Sequence, residues 1–409
     1  MSARLTRLAN GLTLAIDPMP GARSTAIGLY AGVGSRSEAE GKGGLAHLLE
    51  HMVFKGARGR DARAIAEAIE DVGGSLNAWT ARDQTVFHAR TLPADVGLGL
   101  ELIADLVRAP RLDAEELERE KQVILSELGE CRDAPDDLIH DHLFEAALGA
   151  QPLARAVLGR EESILGLTRD DCLAWLEQEY RPSRLVISAA GAVDPDAILT
   201  LAGRLFGDLD PVEPPAIAPA QFLGGIRSDR KSAEQTHLAF ALPGLPSSHD
   251  SAPALSLFSQ AVGGGMSSRL FQELREERGL AYSIYSWTQA FADTGLFAVN
   301  LSTDKARAAE AMALARYCVS RAAEDLTEAE LDRARAQVEA GLIMALETPQ
   351  GRADSMARSI EIFNRIMTLE EMLAEIRSVT SYDARSVAQN MLGGPIALAS
   401  IGGKLALAA

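Results

Sequence analysis

The feature of this sequence that most restricts its fold is a repeat: segments some 212 residues apart carry the same order of caps, apolar stripes and strands. Leu112-Asp113-Ala114-Glu115-Glu116-Leu117 is matched by Leu326-Thr327-Glu328-Ala329-Glu330-Leu331, at an offset of 214. Thr168-Arg169-Asp170-Asp171 is matched by Thr380-Ser381-Tyr382-Asp383, and the strand around Ser188 by that around Ser400, both at 212. A chain of 409 residues also exceeds what one hydrophobic core usually serves. The expectation is an α+β fold of two homologous domains from an internal duplication, each a mainly antiparallel sheet with helices packed on one face. Residues 1–210 form the first domain and 233–409 the second, joined by a 211–232 linker containing Pro211, Pro214, Pro215, Pro219 and Gly224-Gly225. In the first half, periodicity predicts helices near 61–72, 94–108 and 114–132 and strands near 12–16, 24–31, 75–80, 85–91 and 184–192.

Chemistry concentrates at His47-Leu48-Leu49-Glu50-His51. Apolar residues at 45, 48, 49, 52 and 53 predict a short buried helix, ended by Lys55 and a capping Gly56. On it His47 and His51 are one turn apart, so both imidazoles can reach one divalent ion, with Glu50 beside it. This H-x-x-E-H order is the inverzincin signature. The competing reading is a buried helix whose histidines bond backbone and whose Glu50 pairs with a cation; it leaves a buried carboxylate between two imidazoles, which is costly unless neutralised.

A catalytic metal of this kind needs a third protein ligand, and Glu127 is the best candidate. Asp113 reads as the N-cap of a helix with Glu116 at its third position. Along that helix Glu120, Val123, Ile124 and Glu127 share the face turned to the core.

Taken together, Gly34-Ser35-Arg36 with Glu38, the run His47 to Gly56, Gly73-Gly74-Ser75-Leu76-Asn77-Ala78, and Glu118-Arg119-Glu120 leading to Glu127 resemble the pitrilysin-type zinc peptidases, in the half-length branch that includes mitochondrial processing peptidase. In that family the third ligand is a glutamate some 76 residues beyond the second histidine, where Glu127 stands relative to His51. The resemblance implies Zn²⁺ as cofactor, His47, His51 and Glu127 as ligands, Glu120 as a carboxylate steadying them, and Glu50 as the base that moves a proton from water to the leaving amine. It also implies that Arg275 and Tyr282, seven apart, hold the substrate carbonyl. From the residues alone those two read as an ion-pair residue and strand packing. The strand carrying Asn77 and Ala78 is expected to pair with the peptide being cut. Phe54 either shapes a pocket beyond the scissile bond or packs in the core.

The second half lacks H-x-x-E-H, and its position matching Glu127 falls near Gly341, so one half holds the metal. Gly263-Gly264-Gly265 lacks the spacing and the Lys-Ser/Thr ending of nucleotide loops. His140-Asp141-His142 reads as a solvated helix face. A formal charge of −17 disfavours nucleic acid and suits basic or extended peptides, or simply solubility. Cys131, Cys172 and Cys318 are too sparse for a disulfide framework, no apolar run is long enough for a membrane span, and the first residues lack a signal pattern, so a cytoplasmic protein is expected. The function expected is a zinc-dependent endopeptidase cleaving peptides or unfolded segments within a closed chamber, assembled by analogy as a homodimer. The rival is a non-catalytic scaffold or partner subunit of a peptidase complex.

Overall fold

The computed structural model describes residues 3–231 and 233–403. It divides into two compact units, one of Met1–Gly129, Arg155–Ala218 and Ile343–Thr368, the other of Glu130–Ala154, Pro219–Leu342 and Leu369–Ala409. The units thus differ from contiguous halves by a reciprocal exchange: each takes one helical segment from the other half of the sequence.

In the first unit, strands β1 (Arg4–Arg7), β2 (Thr13–Pro18), β3 (Thr25–Ala31), β6 (Ser75–Thr80), β7 (Thr85–Thr91) and β8 (Leu185–Gly191) form one sheet in the order β1-β2-β8-β3-β7-β6. A small separate ribbon pairs β4 (Gly56–Ala57) with β5 (Arg60–Asp61). All pairs of the large sheet are antiparallel except β2 with β8. Central β3 is buried throughout, whereas β6, at the end of the order, alternates exposed Ser75, Asn77 and Trp79 with more buried Leu76, Ala78 and Thr80. That period of two marks an edge strand with one covered face.

One face packs on α1 (Leu45–Val53), α2 (Ala62–Glu70), α3 (Val96–Arg108) and α4 (Ala114–Asp133), in a core containing Ile27, Leu29, Leu48, Leu49, Phe87 and Ile103. The opposite face, left bare in the sequence reading, carries the helix Pro349–Phe363. Ala15, Ala26 and Ala190 are small enough to admit its Ala353, Met356 and Ile360. Polar contacts fix it further: Ser188 Oγ donates to the Ala353 carbonyl at 2.8 Å, Tyr30 OH to Asp354 Oδ1 at 2.5 Å, and Arg352 Nη1 to the buried Asp17 carboxylate at 2.8 Å.

In the second unit, β9 (Gly225–Asp229), β10 (Thr236–Pro243), β11 (Ser283–Ala290), β12 (Gly295–Thr303) and β13 (Ala397–Ile401) run in the order β11-β12-β10-β13-β9, again with one parallel pair, β13 with β9. This is the first sheet's order without its outermost strand, as duplication requires. The matched motifs coincide in structure as well: Thr168 with Asp171 and Thr380 with Asp383 both close capping boxes, and Ser188 and Ser400 are both fully buried. Here the second face is covered by α5 (Pro135–Leu148), whose Leu143, Phe144 and Ala147 pack on Ala239, Ala298 and Ala399.

Several expectations change. Gly225–Asp229, placed in the linker, pairs as an edge strand; Ser232, taken as the linker's end, lies outside the described residues. The His140–His142 stretch is not solvated: α5 packs on a sheet, so His142 is buried, while His140 packs at a tilt against Trp287 and meets Tyr285 OH at 3.2 Å. Gly56 does not cap α1, which ends at Val53, but opens β4 with φ 154°. Val123 points away from the core, 42% exposed, because α4 buries only a narrow stripe.

One consequence can be measured. Removing the Arg352 guanidinium leaves Asp17 buried and unpaired, so Arg352→Met is expected to cost about 3 kcal/mol in urea unfolding, with much of it regained in Asp17→Asn/Arg352→Met.

Candidate metal centre

The geometry of α1 follows from what holds its two ends. Leu45, Leu48, Leu49, Met52 and Val53 anchor one side in the core, leaving His47, Glu50 and His51 half-buried on the other. At its start Gly44 takes φ 90°, and a Cβ there would lie 2.8 Å from the Leu158 carbonyl oxygen, so glycine is required twice over. The free N–H groups of the first turn are met from outside the helix. Glu38 accepts from Gly44 N at 3.0 Å and from Ala46 N at 2.9 Å, a buried carboxylate placed where the helix dipole favours negative charge. Arg155 Nη1 donates to the Glu38 carbonyl at 2.6 Å.

The third carboxylate comes from α4. Asp113 caps it, its Oδ1 accepting from Glu115 N at 2.9 Å, and places Glu120 and Glu127 against α1. Glu127 Oε2 stands 3.9 Å from His47 Nε2 and 3.8 Å from His51 Nε2. These donor atoms all lie within 4.8 Å of one another. Donors around a tetrahedral ion at zinc-like bond lengths are about 3.3 Å apart, so closing the set brings the Glu127 carboxylate about 0.5 Å nearer to each imidazole.

Other observations favour a cation at that point. The two imidazoles meet edge to face with centroids 4.6 Å apart. Burial, and then neighbouring His51, pushes His47 down to about 4, so it is neutral and able to donate a lone pair at pH 7. Among the described residues its Nδ1 is buried without a hydrogen-bond partner, and its Nε2 is too far from Glu127 for a hydrogen bond. An ion between the three groups would give both Nε2 atoms and the Glu127 carboxylate a partner. His51 Nδ1 lies 3.1 Å from Glu120 Oε2, which orients the ring and leaves Nε2 for the ion; Lys55 Nζ, 2.6 Å from Glu120 Oε1, balances that buried charge.

Glu50 accepts a 2.6 Å hydrogen bond on Oε2 from Thr80 Oγ1, at the end of β6. Burial raises its carboxyl above the ordinary value, an effect the Thr80 bond opposes and Glu127 reinforces. Thr80 was not singled out in the sequence, and Lys55 was read there only as the end of a helix. Lys55 carried a signal as a cation one turn past His51, whereas Thr80 had none beyond its place in the strand.

The remaining expected residues are distributed as follows. Asn77 is exposed on the free edge of β6, its Oδ1 accepting from Ala78 N at 2.9 Å; Ala78 is buried, and Phe54 is half-buried against the core. Arg275 and Tyr282 belong to the second unit. Arg275, in a π-helical turn Phe271–Glu277, is exposed with its guanidinium 4.8 Å from the Phe271 ring centre, and Tyr282, just before β11, is 72% exposed. Among the described residues no helix is long and apolar enough to cross a membrane.

Comparison with known proteins gives concordant results. Residues 13–161 match the profile of the insulinase family, peptidase family M16, and residues 166–338 that of the peptidase M16 inactive domain. An uncharacterized zinc protease of Streptomyces coelicolor is 35% identical over 98% of this chain and 90% of its own length. Another, from Rickettsia bellii, is 35% identical over 97% of each chain. Two solved structures share the fold, both at 23% identity. A protease from Helicobacter pylori has a TM-score of 0.89 over 98% of this chain and 99% of that one. A peptidase M16 inactive domain from Pseudomonas fluorescens has 0.91 over 99% of each.

The site makes a measurable demand on its supporting groups. Glu127→Ala should abolish stoichiometric zinc binding, whereas Glu120→Ala and Lys55→Met should retain it with affinity lowered about 10- to 100-fold, as read by competition with a chelating fluorophore.

Proposed function

The chain belongs to the M16 peptidase family, and within it we propose that this protein is a zinc-dependent endopeptidase acting on peptides or unfolded polypeptide segments. The observation that carries the reading is the convergence of His47, His51 and Glu127 with the acid of Glu50 one residue from a ligand. An inactive scaffold has no need of these groups, and their mutual burial without a cation is a cost. The ion is read as zinc because two imidazoles and one carboxylate suit it and because the relatives carry that name. When bound, zinc supplies Lewis acidity toward a water and a substrate carbonyl.

The chain's own residues supply the rest. His47 and His51 bind as neutral donors, Glu127 adds charge, and Glu120 with Lys55 fixes the His51 ring. Glu50 takes the proton from the attacking water and delivers it to the leaving amine. Burial favours this exchange, since it raises the carboxyl and brings its proton affinity nearer to neutral pH. The free edge of β6 offers backbone pairing to an extended segment, which selects conformation over side-chain identity. Arg275 and Tyr282 are exposed donors suited to a developing oxyanion. Two copies of the chain enclosing the substrate would impose a size limit on it, and a homodimer is the assembly we propose.

Glu50→Gln is expected to retain one zinc per chain while hydrolysis of a quenched unstructured peptide falls by about 10³-fold or more. Peptide cleavage at the wild-type rate by the zinc-loaded variant would remove Glu50 from the mechanism.

A further inference from the structure

We propose that Thr80 is a positioning residue, holding one oxygen of the Glu50 carboxylate and linking it to the edge strand on which a substrate segment aligns. The inference rests on the endopeptidase reading and extends it to a residue with no metal or substrate role of its own.

The geometry is specific. Thr80 Oγ1 donates to Glu50 Oε2 at 2.6 Å, and among the described residues this is the carboxylate's one hydrogen bond. Oε2 is thereby committed, and Oε1 stays free to accept a proton. A carboxylate on a flexible side chain would otherwise sample several rotamers beside a divalent ion that attracts it directly. A single short donor set against Oε2 opposes that collapse.

The donor itself is rigidly mounted. Thr80 pairs with Thr85 across the β6–β7 hairpin, and Ala81 N donates to Gln84 O at 2.7 Å to close the turn. The turn is pinned to the loop before α1, with Ser35 N on Ala81 O at 3.1 Å and Arg36 N on Arg82 O at 2.7 Å. A Cβ at Gly34 would stand 2.2 Å from Ala81 O, so this close approach depends on glycine. Thr85 Oγ1 in turn donates to Val33 O at 2.9 Å. Any displacement of β6 by a segment added at its edge is therefore carried to Glu50 through one hydroxyl.

The test separates this role from ordinary strand packing. Thr80→Val keeps the branched shape and removes the hydroxyl, and Thr80→Ser keeps the hydroxyl. Each is compared with wild type for zinc affinity, thermal midpoint, and kcat and KM on a quenched peptide. The expected result for Thr80→Val is kcat lower by about 10- to 100-fold, with zinc affinity and KM within about twofold of wild type and recovery to within about threefold in Thr80→Ser. A second arm needs no turnover. A peptide hydroxamate chelates zinc and presents its hydroxyl to Glu50, and its affinity is measured in wild type, Thr80→Val, Glu50→Gln and the double variant. Thr80→Val should weaken it about 10-fold when Glu50 is present and by about twofold or less when it is Gln. Equal weakening in both backgrounds, or an unchanged kcat in Thr80→Val, would overturn the assignment. Coupling in the hydroxamate cycle from a wild type that cleaves no peptide would sink the endopeptidase reading and uphold Thr80's hold on Glu50.

Discussion

The metal centre depends on a short helix being held on one side by apolar burial and at its start by a carboxylate that is not part of it. Isolated helices of nine residues do not persist in water. Here α1 survives because six apolar side chains are in the core and Glu38 meets two of its free N–H groups. That arrangement fixes the axial position and rotation of His47 and His51 before any ion arrives. Preorganisation of this kind places the cost of ordering the ligands in folding and leaves metal affinity correspondingly higher.

Repetition explains why such a site could be built in one half and dispensed with in the other. Both sheets share a strand order around one parallel pair, and equivalent helices begin at equivalent capping boxes. The fold is therefore carried by caps, strand pairing and core packing, none of which involves the metal. The region near Gly341 can lose its carboxylate without loss of the helix that bears it, which continues from Glu328 to Ala345. Fold and site are separable here, and the second unit retains the first alone.

How much was legible in the sequence follows from the range of each interaction. The H-x-x-E-H turn and its strands are local patterns, so their periodicity revealed them directly. Glu127 and Glu120 were reachable because a capped helix fixes which of its residues share a face; Val123 was misplaced because burial along α4 is narrower than the apolar pattern suggested. The exchange of α5 and Pro349–Phe363 could not be read, since it depends on which sheet face each helix finds and leaves no local period. The solvated reading of His140–His142 failed for the same reason, as burial there comes from a sheet distant in sequence. Thr80 was silent because a threonine in a strand is ordinary until its partner is known.

Charge ties these features to one another. Glu50 and Glu127 sit beside two imidazoles, one held neutral by burial, while Lys55 is engaged by Glu120. The site consequently lacks positive charge at its centre, and the proximity of Glu127 adds to the burial that raises the Glu50 carboxyl. A divalent cation reverses that balance, stabilising the carboxylates it touches and drawing Glu50 toward itself as well. The same charge that favours an ion there would also capture the proposed base. An uncharged donor set against Glu50 resolves the conflict: a lysine there would neutralise the carboxylate's basicity, and an apolar residue would release it to the ion. A hydroxyl mounted on a rigid edge strand restrains Glu50 while leaving its second oxygen available for proton transfer.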